Sequence, residues 1–266
     1  MKQVIPPARP GAVPRERLRQ QLRVAGTRLT VVVAPAGWGK TSLLSGWASD
    51  PEEKRRIAWV SLDESDDEPV RFWSYVLTAL HNAGGTISTG PLEALDAAAV
   101  PPVDLALPML LNELAASELP HVLVLDDYHL LGDPRIHEAV EYLVTYLPAS
   151  LRIVIAARTD PPLPIARLRA RGDLTELRAA QLRFSPDEAA ALVSAVSGHA
   201  LDSATAAAVA TDGRVGGGSA TGRARTARGP HEGTRRRPAS AGLLRGRSAA
   251  RPRARAAGTA RQGRAP

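Results

Sequence analysis

Short, unbroken apolar runs recur along the first two thirds of the chain, separated by longer stretches with helical spacing. The clearest are Leu29–Ala34 (LTVVVA), Arg56–Leu62 (RIAWVSL), His121–Leu125 (HVLVL) and Leu151–Ala157 (LRIVIAA), with a shorter fifth at Leu174–Leu177. None of the first four alternates apolar with polar residues, so each of those reads as a strand covered on both faces. Strands alternating with helices predict an α/β domain around a mainly parallel five-stranded sheet. Helix starts are legible in between. Asp133 can cap and Pro134 can fill the first turn of a helix whose Ile136, Val140, Leu143, Val144 and Leu147 form one stripe. Ser185–Glu188 (SPDE) offers a cap, a first-turn proline and a capping-box glutamate before AAALVSAV. The segment Gly84–Asp104 is crowded with breakers and is expected to be a surface loop holding no more than a weak helical turn.

The pattern ends near Gly213. Beyond it Val215, Leu243 and Leu244 are the only large aliphatic residues, too few to offset the entropy of ordering the segment, so disorder is expected there. Charge divides at the same point. Residues 213–266 hold 14 arginines and one acid, a charge of +13, while residues 1–212 sum to −6. The overall charge of +7 therefore describes a tail on a mildly acidic body. With no cysteine, disulfide scaffolds and cysteine-ligated zinc are excluded, and the histidines show no ligand spacing. No window approaches the roughly 18 to 20 apolar residues of a membrane helix, and MKQVIPPARP does not read as a signal peptide, so no membrane partner and a cytoplasmic location are expected.

Chemistry concentrates where strands end. The run LTVVVA leads into PAGWGKTS, a glycine-rich turn followed by a helix starting near Lys40. Backbone NH groups and the positive helix end then converge on one anion, which is how triphosphates are held. The candidate nucleotide-binding residues are Ala36, Gly37, Trp38, Gly39, Lys40, Thr41 and Ser42. Gly37 and Gly39 allow close backbone approach, Lys40 reaches the β and γ phosphates, and the Thr41 hydroxyl suits Mg²⁺. Ala34 replaces the motif's usual first glycine, a tolerable change because that position closes the strand. This predicts a P-loop NTPase fold with ATP and Mg²⁺ as cofactors. A second strand ends in Asp126 and Asp127, placing one carboxylate to hold the metal and its neighbour to orient the attacking water. Read without the loop, the pair is a strand-end cap. Arg158 closes IVIAAR, where it either meets the γ phosphate or pairs with Asp160. Tyr128 and His129 are assigned packing over the strand end and no catalytic role.

These residues carry a family likeness. The stretches APAGWGKTSLLSGWA, AWVSLDESDDEPVRFWSYVLTAL, VLVLDDYHLL and RIVIAARTDPPLPIARLRARGDLTELRAAQLRFSPDEAAAL resemble the N-terminal ATPase domain of large LuxR-type, maltose-activator-like regulators of the STAND class. The likeness runs from about Pro6 to Gly213. It implies a five-stranded ATPase core, a helical lid, and then winged-helix, helical-repeat sensor and DNA-binding helix-turn-helix parts. It also implies that ATP permits an inducer-driven homo-oligomeric form, which slow hydrolysis resets. Asp127 and Arg158 are then the catalytic pair, Thr41 and Asp126 hold the metal, and Val13 and Arg15 lie near the adenine. The expected divisions are an N-terminal lead-in at 1–28, an ATPase core at 29–182, a partial helical lid at 183–212 and an arginine-rich tail at 213–266.

After Gly213 the likeness stops, and the chain is expected to be cut short before the sensor and DNA-binding parts. A reading-frame change near Arg214 accounts for this, because a one-base shift of GC-rich codons permits WAAGLxLAGLALP, close to the family's continuation. The rival reading is a nucleic-acid-binding protein acting through the tail. No aromatic residue follows Phe184, so that binding would be nonspecific polyanion contact, with no specific DNA recognition. A ring-forming AAA+ motor is a third reading, for which no partner-reaching arginine is evident. The coding DNA is expected to hold the family continuation one base out of frame from codon 214, and sequencing that shows no such continuation would remove the frameshift.

Overall fold

The computed structural model describes residues 2–7, 13–24, 26–84, 87–97 and 104–197. Residues 198–212 of the expected partial lid and the arginine-rich segment 213–266 lie outside the described residues.

In chain order the elements are α1 (Glu16–Val24), β1 (Leu29–Val33), α2 (Lys40–Ala48), β2 (Arg56–Ser61), α3 (Pro69–Asn82), α4 (Gly90–Ala97) and α5 (Ala106–Ala116). They continue with β3 (His121–Asp126), α6 (Pro134–Thr145), β4 (Leu151–Ala157), α7 (Ile165–Arg171), β5 (Leu174–Arg178) and α8 (Pro186–Ser197). The strands form one five-stranded sheet in the order β2-β3-β4-β1-β5, and every pairing is parallel. All strands therefore end at the same edge. The three central strands β3, β4 and β1 are neighbours there, and they are the strands whose ends carry the candidate chemistry.

Two apolar layers explain why the strand sequences do not alternate. Val31 and Val33 enter a core with α3, α5 and α6, whereas Val32 and Ala34 enter a second core with α1 and α2. Successive side chains point to opposite faces, so a strand covered on both sides is apolar throughout. Trp47 and Trp59 fill the second layer, and Phe72 meets Trp73 edge-on in the first, with ring centroids 5.1 Å apart.

The legible helix starts are built as their residues suggest. Asp133 accepts from the Arg135 NH at 2.9 Å with Pro134 in the first turn of α6. Ser185 and Glu188 form a reciprocal box at α8: the Glu188 NH donates to Ser185 Oγ at 3.1 Å, and the Ser185 NH to Glu188 Oε2 at 2.9 Å. The region expected to be a loop after Gly84 requires correction. Residues 90–97 are the helix α4, with Pro91 in its first turn and Pro91 and Leu95 buried. Its stability comes from tertiary contacts that outweigh local propensity. Glu113 on α5 receives hydrogen bonds from the Ser88 NH at 2.8 Å and Ser88 Oγ at 2.5 Å, and Ser88 Oγ in turn accepts from the Gly90 NH at 3.0 Å.

Ile155 is fully buried in the middle of the sheet, in register with Leu125 on one side and Val31 on the other. Ile155→Ala is expected to lower stability by about 2 to 4 kcal/mol in urea unfolding, whereas Val24→Ala at an exposed position should change it by under about 0.5 kcal/mol.

Candidate nucleotide site

The turn after β1 is shaped by two glycines. Gly37 and Gly39 adopt φ of 83° and 74°, a region that side-chain-bearing residues rarely enter, and no neighbour crowds either position. Gly39 ends the turn as the residue before α2, so the NH groups of that helix's first turn point out of the loop. Ala34 belongs to the apolar layer beneath and is buried there, which explains how its methyl group is accommodated. Its NH donates to the Ala157 carbonyl at 3.3 Å, tying the loop's start to the end of β4.

Lys40 is the first residue of α2 and is nearly buried, with 7% of its surface exposed. Its ammonium donates to the carbonyls of Ala34 at 2.8 Å and Pro35 at 3.2 Å. Burial lowers its pKa most, and Arg158 adds to that; the negative charges of Asp127 and Asp126 act in the opposite sense. These four ionisable groups therefore share one electrostatic neighbourhood at the strand ends.

Asp126 ends β3 and is buried, and its carbonyl accepts from the Leu62 NH at 3.0 Å. Burial pushes its carboxyl up to about 6, and the Asp127 charge adds to the rise; hydrogen bonds from the Thr41 hydroxyl and the Asp127 NH, together with Lys40, pull it down. A buried carboxylate beside a threonine hydroxyl supplies the hard oxygen donors that Mg²⁺ takes, with water and phosphate completing its shell. The residues thus fit the expected metal. Asp127 differs from its neighbour: it holds a left-handed conformation, φ 60° and ψ 34°, and its side chain is 43% exposed. Aspartate tolerates that conformation better than most residues, and it turns the chain sharply into the 3₁₀ turn Tyr128–Leu130.

Arg158 directly follows β4 and is exposed. The pairing with Asp160 weighed above does not form. Asp160 is instead bound by Arg178, from the end of β5, which also holds Glu176 at 2.6 Å. Arg158 makes no ion pair with Asp160, and its charge acts on Lys40 and His129.

The lead-in residues are placed differently. Val13 is half-buried. The Arg15 guanidinium donates to the carbonyls of Leu182 at 2.5 Å and Arg183 at 3.0 Å, lies 4.4 Å from the Phe184 ring centre, and has Nε 3.7 Å from Glu188. Its charged end is thus committed to the approach to α8, which the expectation of a place beside the adenine did not foresee. Two further arrangements escaped the sequence reading. The Arg178 to Asp160 bridge joins residues with no spacing signature, and His129, taken as packing, lies among the charged groups. Its position directly after the acid pair was the available signal.

No family model matches the chain. Two curated relatives are similar to it over 66% of its length. The HTH-type transcriptional regulator MalT of Cronobacter sakazakii is 39% identical over 178 residues, 66% of this chain and 19% of the relative. MalT of Yersinia enterocolitica is 39% identical over 176 residues, with the same coverage of 66% and 19%. Over this stretch the chain is homologous to MalT. It spans about a fifth of the length of these relatives, 19% in each case. Among solved structures, a STAND protein with a tetratricopeptide repeat sensor from Pyrococcus horikoshii shares 13% identity at a TM-score of 0.47, covering 77% of this chain and 30% of its own. Cdc6p from Pyrobaculum aerophilum shares 16% at a TM-score of 0.46, covering 76% and 56%. No helix among the described residues is long and apolar enough to cross a membrane.

The raised Asp126 carboxyl has a definite consequence for stability. A group whose pKa is higher in the folded than in the unfolded chain contributes fully below its ordinary value of 3.8, and that contribution is lost as pH rises through about 6. Above about 6, the charged form of Asp126 costs the nucleotide-free protein on the order of 3 kcal/mol. Asp126→Asn is therefore expected to raise the melting temperature near pH 7.5 and to give no gain near pH 4, as measured by calorimetry.

Proposed function

We propose that the chain binds ATP with Mg²⁺ at the loop Ala36–Ser42 and serves as a slowly hydrolysing switch domain of a LuxR-type transcriptional regulator. One observation carries this reading: Gly37 and Gly39, both with positive φ, turn the chain from β1 into α2 so that the buried Lys40 opens that helix, at the sheet edge where β3 ends in the buried Asp126. A lysine, a hydroxyl and a buried carboxylate at adjacent strand ends form the minimum set for a metal-bound triphosphate.

In this reading the NH groups of Ala36–Lys40 cradle the phosphates, and the Lys40 ammonium exchanges the carbonyls of Ala34 and Pro35 for phosphate oxygens. Charged oxygens are the stronger acceptors, so the exchange is favourable once a triphosphate is present. Thr41 and Asp126 would hold Mg²⁺, which would supply charge neutralisation to the bound phosphates. Asp127, exposed and turned by its left-handed backbone, orients the attacking water. Arg158, free of the Asp160 contact, balances charge on the γ phosphate. Homology to a transcriptional regulator supports a switch in preference to a motor, because slow hydrolysis then times a signal. Val13 is assigned to the adenine side, and Arg15 acts there through the approach to α8.

Calorimetric titration with Mg²⁺ and ATP is expected to show saturable binding to the wild-type chain. Lys40→Ala should weaken it by about a hundredfold or more, since a charge-assisted contact to the most anionic part of the ligand is removed. Undiminished binding in that variant would refute the assignment of the loop.

A further inference from the structure

The six residues 63–68, between β2 and α3, include five acids, and one of them is wholly buried. Asp66 has no exposed surface, and its Oδ2 accepts from the Asp63 NH at 2.9 Å, which folds the loop back on itself. A carboxylate is tolerated in such a place when a cation meets it and its oxygens are hydrogen-bonded. The cation comes from the opening of the chain. Lys2 Nζ donates to Asp66 Oδ1 at 2.6 Å and Oδ2 at 2.7 Å, and it pairs with Asp63 Oδ2 at 2.7 Å. An ammonium has three hydrogens, so this one loop engages them all.

Residues 2–5 form a strap over the edge of the sheet. β2 is an edge strand, and the NH of its last residue, Ser61, donates to the Lys2 carbonyl at 2.8 Å. Ile5 packs into the second core, whereas the Lys2 ammonium lies 5.4 Å from the centre of the Tyr75 ring, which packs on the first. The strap thus crosses from one layer to the other at the end of β2. The loop that it neutralises grips the acid-bearing segment at both ends. Ser61 is in register with Asp126, and the Leu62 NH donates to the Asp126 carbonyl at 3.0 Å. Beyond the acid pair, Asp67 Oδ1 accepts from the Gly132 NH at 2.9 Å and the Asp133 NH at 2.7 Å. Asp126 and Asp127 therefore lie on a short arc whose two ends are fastened to one loop, and Lys2 closes that loop.

We propose that Lys2 is a positioning residue for the metal-binding carboxylate: by neutralising Asp66 it locks the loop 62–67 onto the segment 126–133 and so sets Asp126 for Mg²⁺. The inference rests on the reading of Thr41 and Asp126 as the metal site. Without the ammonium, Asp66 is a buried charge with no counterion, and the loop relieves it by opening toward water. Opening releases the Asp126 carbonyl and the two amides ahead of α6, while the phosphate loop after β1 keeps its own bonds. The metal-dependent part of nucleotide binding is then lost selectively.

The test has two arms on the full chain and on Lys2→Met and Lys2→Arg variants. Amide hydrogen exchange without nucleotide is expected to quicken about tenfold at Ser61, Leu62, Gly132 and Asp133 in Lys2→Met and to stay unchanged at Val31. Calorimetry compares ATP with Mg²⁺ against ATP with a chelator. Lys2→Met should weaken the first about tenfold and the second by less than about twofold, with Lys2→Arg close to wild type. Adding Asp66→Asn to Lys2→Met removes the stranded charge and should restore both readouts. Should Lys2→Met not fold, Lys2→Gln, which loses the charge and keeps a donor, is read in the same way. Unchanged exchange at those amides, or an equal loss of affinity with and without Mg²⁺, would overturn the inference while leaving the ATP site intact. A wild-type chain that binds ATP under neither condition would instead defeat the reading of the loop after β1, and the metal role of Lys2 with it.

Discussion

Parallel pairing is the constraint from which the rest of the structure follows. When strands run the same way, every connection must return across a face of the sheet, so helices cover both faces and all strand ends share one edge. Here β3, β4 and β1 are adjacent, and the residues at their ends are Asp126, Ala157 and Val33. The phosphate-type loop, the acid pair and Arg158 therefore meet although they are far apart in sequence. Backbone hydrogen bonds set their spacing: the Ala34 NH on the Ala157 carbonyl fixes the loop against β4, and the Leu62 NH on the Asp126 carbonyl fixes the acid against the neighbouring strand.

The groups brought together there do not satisfy one another well. Lys40 is bonded to carbonyls of its own loop and to no carboxylate. Asp126 is held toward its protonated form, Asp127 sits in a left-handed conformation, and His129 has no hydrogen-bond partner. Elsewhere some polar groups are well matched, as in the Ser88 and Glu113 contacts or the Ser185 and Glu188 box, while Trp47 Nε1, Trp73 Nε1 and His121 Nδ1 are also buried without a hydrogen-bond partner.

Much of this was legible in the sequence, for reasons that can be named. The strands were readable because burial on two faces leaves no polar positions in Val31–Val33 or Ile153–Ala157. The loop was readable because its chemistry is local: Gly37, Gly39, Lys40 and Thr41 are close along the chain and their spacing carries the geometry. What depended on distant partners was not readable. The helix α4 needs Glu113 from α5, and Asp160 meets Arg178 rather than the nearer Arg158. His129 looked like packing because a sequence shows neither burial nor the lack of a hydrogen-bond partner. The Arg15 contacts were unreadable for the same reason, as its partners Leu182, Arg183 and Phe184 are remote in sequence.

The Arg15 contacts make the beginning of the chain a working part of its later half. One guanidinium grips two carbonyls and a ring, the first of them 167 residues downstream, just ahead of the box that starts α8. The first turns of α1 and α8 are thereby fastened at a shared pivot. A torque applied to α8 from further along the chain would be delivered to α1, and through the Arg19 and Arg23 contacts with Asp50 to the far end of α2, the helix whose other end is the phosphate-type loop.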